Sequence, residues 1–223
     1  DSTRVSGRAR ARSRPRLVGG GPIGAPSEGK LARRVVGRHN RAMPRGPKLR
    51  ARPLSSPLRV VLVEPEIPPN TGSIARTCAA TQSALHLVGK LGFRIDEHAV
   101  RRAGLDYWPL VDLHTHPALD DFEAKHPDAR LHLFAAGAHP SYLEMDVQPG
   151  DALVFGKESV GLDPSILARY PDRIWTIPTM GAVRSLNLSN AAAIVLYEAL
   201  RKLGAFSETF VADDAVGRPE PAS

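Results

Sequence analysis

The chain has 223 residues, 30 Lys and Arg against 23 Asp and Glu for a formal charge of +7, and a single cysteine, Cys78. This length suits one domain with or without a tail; one cysteine excludes an internal disulfide and fits a reducing compartment, the cytoplasm; no apolar run reaches the roughly 20 residues of a membrane span. Residues 1–57 carry fifteen Lys and Arg against Asp1 and Glu28, a net of +13, which leaves −6 for residues 58–223, so any nucleic-acid site on the core must be a local patch.

Residues 1–57 form a basic leader rich in Arg, Gly, Pro and Ser. It has no stable hydrophobic period and cannot bury enough surface to offset its ordering entropy, so it is read as disordered. Three readings stay open for it: an RNA-binding arm, an Arg-rich, acid-poor targeting peptide, or a stretch upstream of a native start at Met43. A secretory signal is a poor reading, because no apolar segment follows the charges.

The folded pattern runs from 58 to 210, with a flexible tail over 211–223. Leu58 to Val63 is apolar except for Arg59, the pattern of a strand covered on both faces. Pro65, Pro68 and Pro69 argue against regular structure in the next stretch. Asn70 is a suitable N-cap for a helix over about 71–81 that carries Arg76, with Cys78 in its core. Ala84 to Val88 reads as the second strand. Asp96 can cap a short helix ended by Gly104, Asp120 to Lys125 suggests another, and Leu131 to Ala135 and Ala152 to Phe155 are further strands. Asp163 followed by Pro164 is a strong helix start.

Thr176 to Leu203 organises the rest. A short strand, Ile174 to Ile177, is stopped by Pro178. A small-residue loop and a polar cluster of Arg184, Ser185, Asn187, Ser189 and Asn190 follow. The last helix then buries Ala191, Ile194, Val195, Ala199 and Leu200 at helical spacing, capped by Ser189 or Asn190 and ended by Gly204. Apolar strands alternating with helices predict an α/β fold with a parallel sheet and flanking helices. In such sheets ligands bind beyond the C-terminal ends of strands, and three of those ends, after Val63, Phe155 and Ile177, carry Gly and polar residues.

No G-x-x-x-x-G-K-[ST] occurs and no G-x-G-x-x-G follows a strand, which counts against an ATPase and an ordinary dinucleotide fold. His114 and His116 form an H-x-H without other well-spaced ligands, so no metal site is expected.

EPEIPPNTGSIARTCAAT, LVFGKESVGLDPSIL and IPTMGAVRSLNLSNAAAIVLYEA, in that order, resemble the three motifs of the SPOUT-class RNA 2′-O-ribose methyltransferases. The likeness extends to the TrmL-like branch that methylates the wobble nucleotide of tRNA, which RRAGLDYW, Arg101 to Trp108, also resembles. It covers about residues 58–204. The resemblance implies a C-terminal deep trefoil knot, a homodimer, S-adenosylmethionine as methyl donor, and tRNA as substrate. It places cofactor contacts at Phe134, Gly156, Ile177 and Ser185. It matches Asn70, Arg76, Glu158, Ser185 and Asn187 to the family's active-site polar positions, with Asn70, Arg76, Glu158 and Asn187 as the catalytic set. Because a guanidinium stays charged at physiological pH, Arg76 is read as an electrostatic stabiliser and phosphate clamp rather than the base. Arg101, Arg102 and Tyr107 are placed at the RNA surface, where cations hold phosphate and aromatics stack bases. The rivals are the same chemistry at another tRNA position or on ribosomal RNA, and a catalytically idle RNA-binding module.

Overall fold

The computed structural model describes residues 47–93, 107–137 and 139–212. Six parallel strands form the main sheet in the order β4-β3-β2-β6-β5-β7. They are β2 (Arg59–Val63), β3 (Ala84–Val88), β4 (Leu113–His116), β5 (Leu131–Phe134), β6 (Ala152–Phe155) and β7 (Ile174–Trp175). The central register sets Val60 beside Leu85 and Leu153, and Phe134 beside Phe155 and Trp175.

The strands read as unbroken apolar runs because both faces are covered. Val60 and Leu62 point into one core layer under α1 (Pro68–Thr81) and α4 (Leu188–Lys202), with Ile74, Cys78, Val195 and Leu196. Val61 and Val63 point into the other layer with Leu162 and with Phe122 of α2 (Leu119–Lys125), and Ile166 of α3 (Pro164–Arg169) packs against this layer. Each fully buried Val or Leu contributes about 1.5–3 kcal/mol. Cys78 is a core residue, its thiol pushed up to about 12 by burial.

Several local expectations are corrected. The helix α1 starts at Pro68, not after the prolines. Pro68 and Pro69 occupy the first two helical positions, where a missing N–H costs nothing. Asn70 therefore lies inside the helix and does not cap it. The N-cap of α4 is Asn187, whose Oδ1 accepts from the N–H groups of Ser189 and Asn190. The buried face of α4 holds Ala192, Val195, Leu196, Ala199 and Leu200, while Ile194 stays exposed. Strand β7 has two residues only, and Thr176 continues it as a bridge to Ser141.

Two short strands fall at the expected domain edges. Lys48–Ala51 forms β1 inside the segment read as disordered, and it pairs antiparallel with β8 (Thr209–Ala212) across the proposed start of the tail. Two four-residue strands far apart in the chain leave no local period, so only their pairing reveals them. The expected helix after Asp96, and with it Arg101 and Arg102, lies outside the described residues.

Candidate active site

The sequence brings three chain reversals to the C-terminal end of the sheet: β2 into α1, β6 into α3, and β7 into α4. Between them lies a cleft of about 1030 Å³. Phe134, Gly156, Ile177 and Ser185 all line it, and so do Asn70, Glu158 and Asn187. Phe134 and Phe155, last residues of neighbouring strands, stack at 4.8 Å and form its aromatic floor.

One chain of hydrogen bonds joins the three reversals. Because Asn187 Oδ1 is committed to the start of α4, its Nδ2 must donate, and it donates to Asn70 Oδ1 at 3.0 Å. Asn70 Nδ2 is then turned to Glu158 Oε1, again at 3.0 Å. Glu158 also accepts from the N–H groups of Glu66 and Ile67 at 2.8 and 3.2 Å. Every amide orientation follows from the helix cap, so none is arbitrary. With three donors on its carboxylate, Glu158 acts here as a brace between loops.

The same two loops are clasped further out. Ser159 donates through N–H and hydroxyl to Glu66, both at 3.0 Å, and holds that carboxyl below its usual range. Lys157 pairs with Glu64 at 2.6 Å. Within the β6–α3 loop, Lys157 and Gly161 exchange backbone hydrogen bonds. A Cβ on Gly156 would overlap the backbone of Gly161 and Leu162, so this position has to be glycine for the loop to fold back on the strand end.

Arg76 does not line the cleft. It is exposed on α1, with its guanidinium 4.5 Å over the Tyr107 ring, and the Tyr107 hydroxyl donates to the Gly72 carbonyl at 2.8 Å. Arg76 and Tyr107, expected in separate roles, thus form one cation–π pair anchored to α1.

Sequence reasoning missed Trp175, Arg184 and Ala191 in the cleft wall. Arg184 was legible as part of the polar cluster. Trp175 was not, because its partners come from other strands. Its Nε1–H donates to His132 Nδ1 at 3.1 Å, which fixes the His132 proton on Nε2, 2.9 Å from Asp151. Burial works to raise the Asp151 carboxyl, but the bonds from His132, Arg130 and the Gln148 N–H outweigh it and hold the group at about 2.

Residues 57–197 match the SpoU rRNA Methylase family. The chain belongs to this family. A protein of Burkholderia pseudomallei named tRNA (cytidine(34)-2'-O)-methyltransferase is 45% identical over 148 residues, 65% of this chain and 95% of the relative. A solved structure described as giving insights into the 2-OH methylation of C/U34 on tRNA is 45% identical, covers 66% of this chain and 97% of its own, and superposes with a TM-score of 0.62. The SpoU methyltransferase AviRb of Streptomyces viridochromogenes, solved with AdoMet, is 26% identical with a TM-score of 0.56 over 70% of this chain and 64% of its own. The SpoU match begins after β1 and ends before β8, so the two-stranded ribbon lies outside the matched region.

Proposed function

We propose that this protein uses S-adenosylmethionine to methylate the ribose 2′-hydroxyl of the wobble nucleotide, cytidine or uridine, in the tRNA anticodon loop. The observation that carries the reading is the convergence of the four expected cofactor positions with the Asn187–Asn70–Glu158 chain on one cleft. The relatives named for this reaction, matched over nearly their whole length, support the substrate.

The cleft fits the methyl donor. Phe134, Phe155, Ile177 and Ala191 offer an apolar wall of the size and flatness that an adenine needs, and Ser185 and the backbone beyond Gly156 supply polar edges. Bound there, S-adenosylmethionine would supply an electrophilic methyl on a sulfonium: the ribose 2′-oxygen would take the methyl, the sulfonium would become a neutral thioether, and the hydroxyl proton would pass to water. The protein's part is alignment and electrostatics. Asn70 and Asn187 hold the two helix starts at a fixed spacing, Glu158 locks the loop over the cleft, and Arg76 clamps RNA phosphate while stabilising negative charge on the ribose oxygen. Tyr107 supports Arg76 and offers a face for a base, and Arg101 and Arg102 are assigned to RNA phosphate.

The rest of the family pattern completes the proposal: a trefoil knot in the C-terminal half, a homodimer, and action in the cytoplasm. Support for the dimer is the apolar strip of Ile194 and Tyr197 on α4, 40% and 49% exposed, with Phe206 stacked on Tyr197 at 5.6 Å. Among the described residues no helix is long and apolar enough to cross a membrane.

The test is methylation of unmodified tRNA and of ribosomal RNA by the purified protein, followed by nucleoside mass spectrometry and mapping. A 2′-O-methylpyrimidine at position 34 is expected. Modification at another tRNA position or in ribosomal RNA alone would replace the substrate, and no transfer to any RNA would remove the activity.

A further inference from the structure

At the edge of the sheet away from the cleft, β3, β4 and the end of α2 gather four histidines. The His86 ring stacks on His114 at 4.8 Å and on His116 at 5.2 Å, and His126 meets it edge-on at 5.0 Å. Phe122 closes the group from α2. His86 and His116 are 1% and 4% exposed, whereas His126 is half-buried at the solvent side. One nitrogen each from His86, His116 and His126 falls within 4.8 Å of the other two. None of the four histidines lines the cleft.

The inner nitrogens, His86 Nδ1 and His116 Nε2, face each other at 3.0 Å. Their outer nitrogens, His86 Nε2 and His116 Nδ1, are buried without a partner. Two neutral rings in this position share one proton, so either tautomer leaves a buried N–H with no acceptor, which folded proteins rarely tolerate without use. No outer hydrogen bond commits either ring to one tautomer, so both can turn an inner lone pair to the same point. Two nitrogens at about 2.0–2.1 Å from a tetrahedral ion stand about 3.3 Å apart, close to the separation already present.

Burial and the neighbouring cations keep the rings in ligand form. The His86 pKa is lowered to about 3, and those of His116 and His126 are lowered too, in each case first by desolvation. Binding a cation therefore displaces no positive charge from the rings. Arg59 and Lys125 oppose a cation here, while Asp121 and Asp128 favour it; Arg59 is itself paired with Asp128 at 3.7 Å.

We propose that His86, His116 and His126 form a binding site for a divalent transition-metal ion of the zinc class, with water completing the coordination on the His126 side. An all-imidazole donor set suits zinc, copper or nickel rather than calcium or magnesium. The bound ion clamps the end of α2 to the β3–β4 edge, a structural role separate from methyl transfer. Because the outer nitrogens lack the acceptors that usually brace ligating imidazoles, affinity is expected about 10–100-fold below that of a braced three-histidine site.

The experiment uses the full, untagged chain stripped with EDTA and dialysed, then titrated with Co²⁺ and with Zn²⁺. One equivalent per chain is expected, with the strong visible absorption of four- or five-coordinate Co²⁺, and Zn²⁺ should raise Tm. His126→Ala should weaken binding by more than about tenfold, the lower end of what losing even an outer partner costs, and abolish the Zn²⁺ effect on Tm. Its Tm in EDTA should match the parent, since His126 is half-buried; His126→Gln serves as the second variant if alanine does not fold. His139→Ala, outside the cluster, should bind like the parent. A weak octahedral Co²⁺ spectrum, or binding undiminished in both His126 variants, overturns the proposal.

Discussion

Asn187 shows how one side chain can serve stability and site at once: one amide atom caps a helix, so the other is obliged to reach across to Asn70. Arg76 is the opposite case, an exposed cation tied to the site through the Tyr107 ring rather than through the cleft wall. Arg76→Ala is expected to abolish turnover while leaving S-adenosylmethionine affinity within about twofold, measured by calorimetry. Arg76→Lys should also be poor, because an ammonium lacks the planar fork and stacks weakly; near-normal rates in that variant would show that charge alone suffices. Asp151 gives a pH prediction. Its folded pKa of about 2 lies below the usual 3.8. The carboxylate therefore contributes about 2 kcal/mol above pH 4, lost as pH falls from about 4 to about 2. Asp151→Asn should be less stable by that order at neutral pH in urea titrations, and the gap to the parent should close at acid pH.

Among the elements, α4 has its start in the site and its body in the core. Asn187→Ala removes the cap and the donor to Asn70 together, so a loss of about 1 kcal/mol in stability and a large fall in turnover should coincide. Asn187→Ser separates them. A serine hydroxyl still caps the helix but has no amide to offer Asn70, so stability should recover while turnover stays low. Recovery of both would mean that the Asn187–Asn70 bond is dispensable. The β6–α3 loop is held by its own backbone bonds and by Glu158, Ser159 and Lys157 reaching to the β2–α1 loop.

For the molecule as a whole, charge sets the terms. A core of net −6 has to meet a polyanion through a local cationic surface, while the leader of net +13 can add attraction that carries no sequence information. A chain starting at Met43 keeps β1 and its pairing with β8. It is expected to fold, bind S-adenosylmethionine and modify the same nucleotide as the full chain, with weaker RNA affinity at low salt that converges as salt rises. The two chains compared across a salt series, with the methylated position mapped in each, decide this; an unfolded shorter chain, or one with a shifted position, would make the leader a specificity element.

The sequence by itself determined the α/β class, five of the six main strands, the Asp163–Pro164 helix start and the family, because apolar runs, breakers and long ordered motifs are local properties of the chain. The resemblance to the SPOUT class implied that Phe134, Gly156, Ile177, Ser185, Asn70, Glu158 and Asn187 lie together, and all seven line one cleft. What only the tertiary structure decided depends on partners far apart in sequence. The brace role of Glu158 needs backbone N–H groups from 91 and 92 residues away. The Tyr107 stack puts Arg76 outside the cleft wall, the β1–β8 ribbon joins the two ends of the described chain, and His86 meets His116 and His126 only because β3 and β4 are parallel neighbours under α2. Helix caps were misread for the same reason: Asn70, Asn187, Ser189 and Asn190 are all good caps locally, and only the packing of three loops against one another assigns Asn187 to the helix and Asn70 to Glu158.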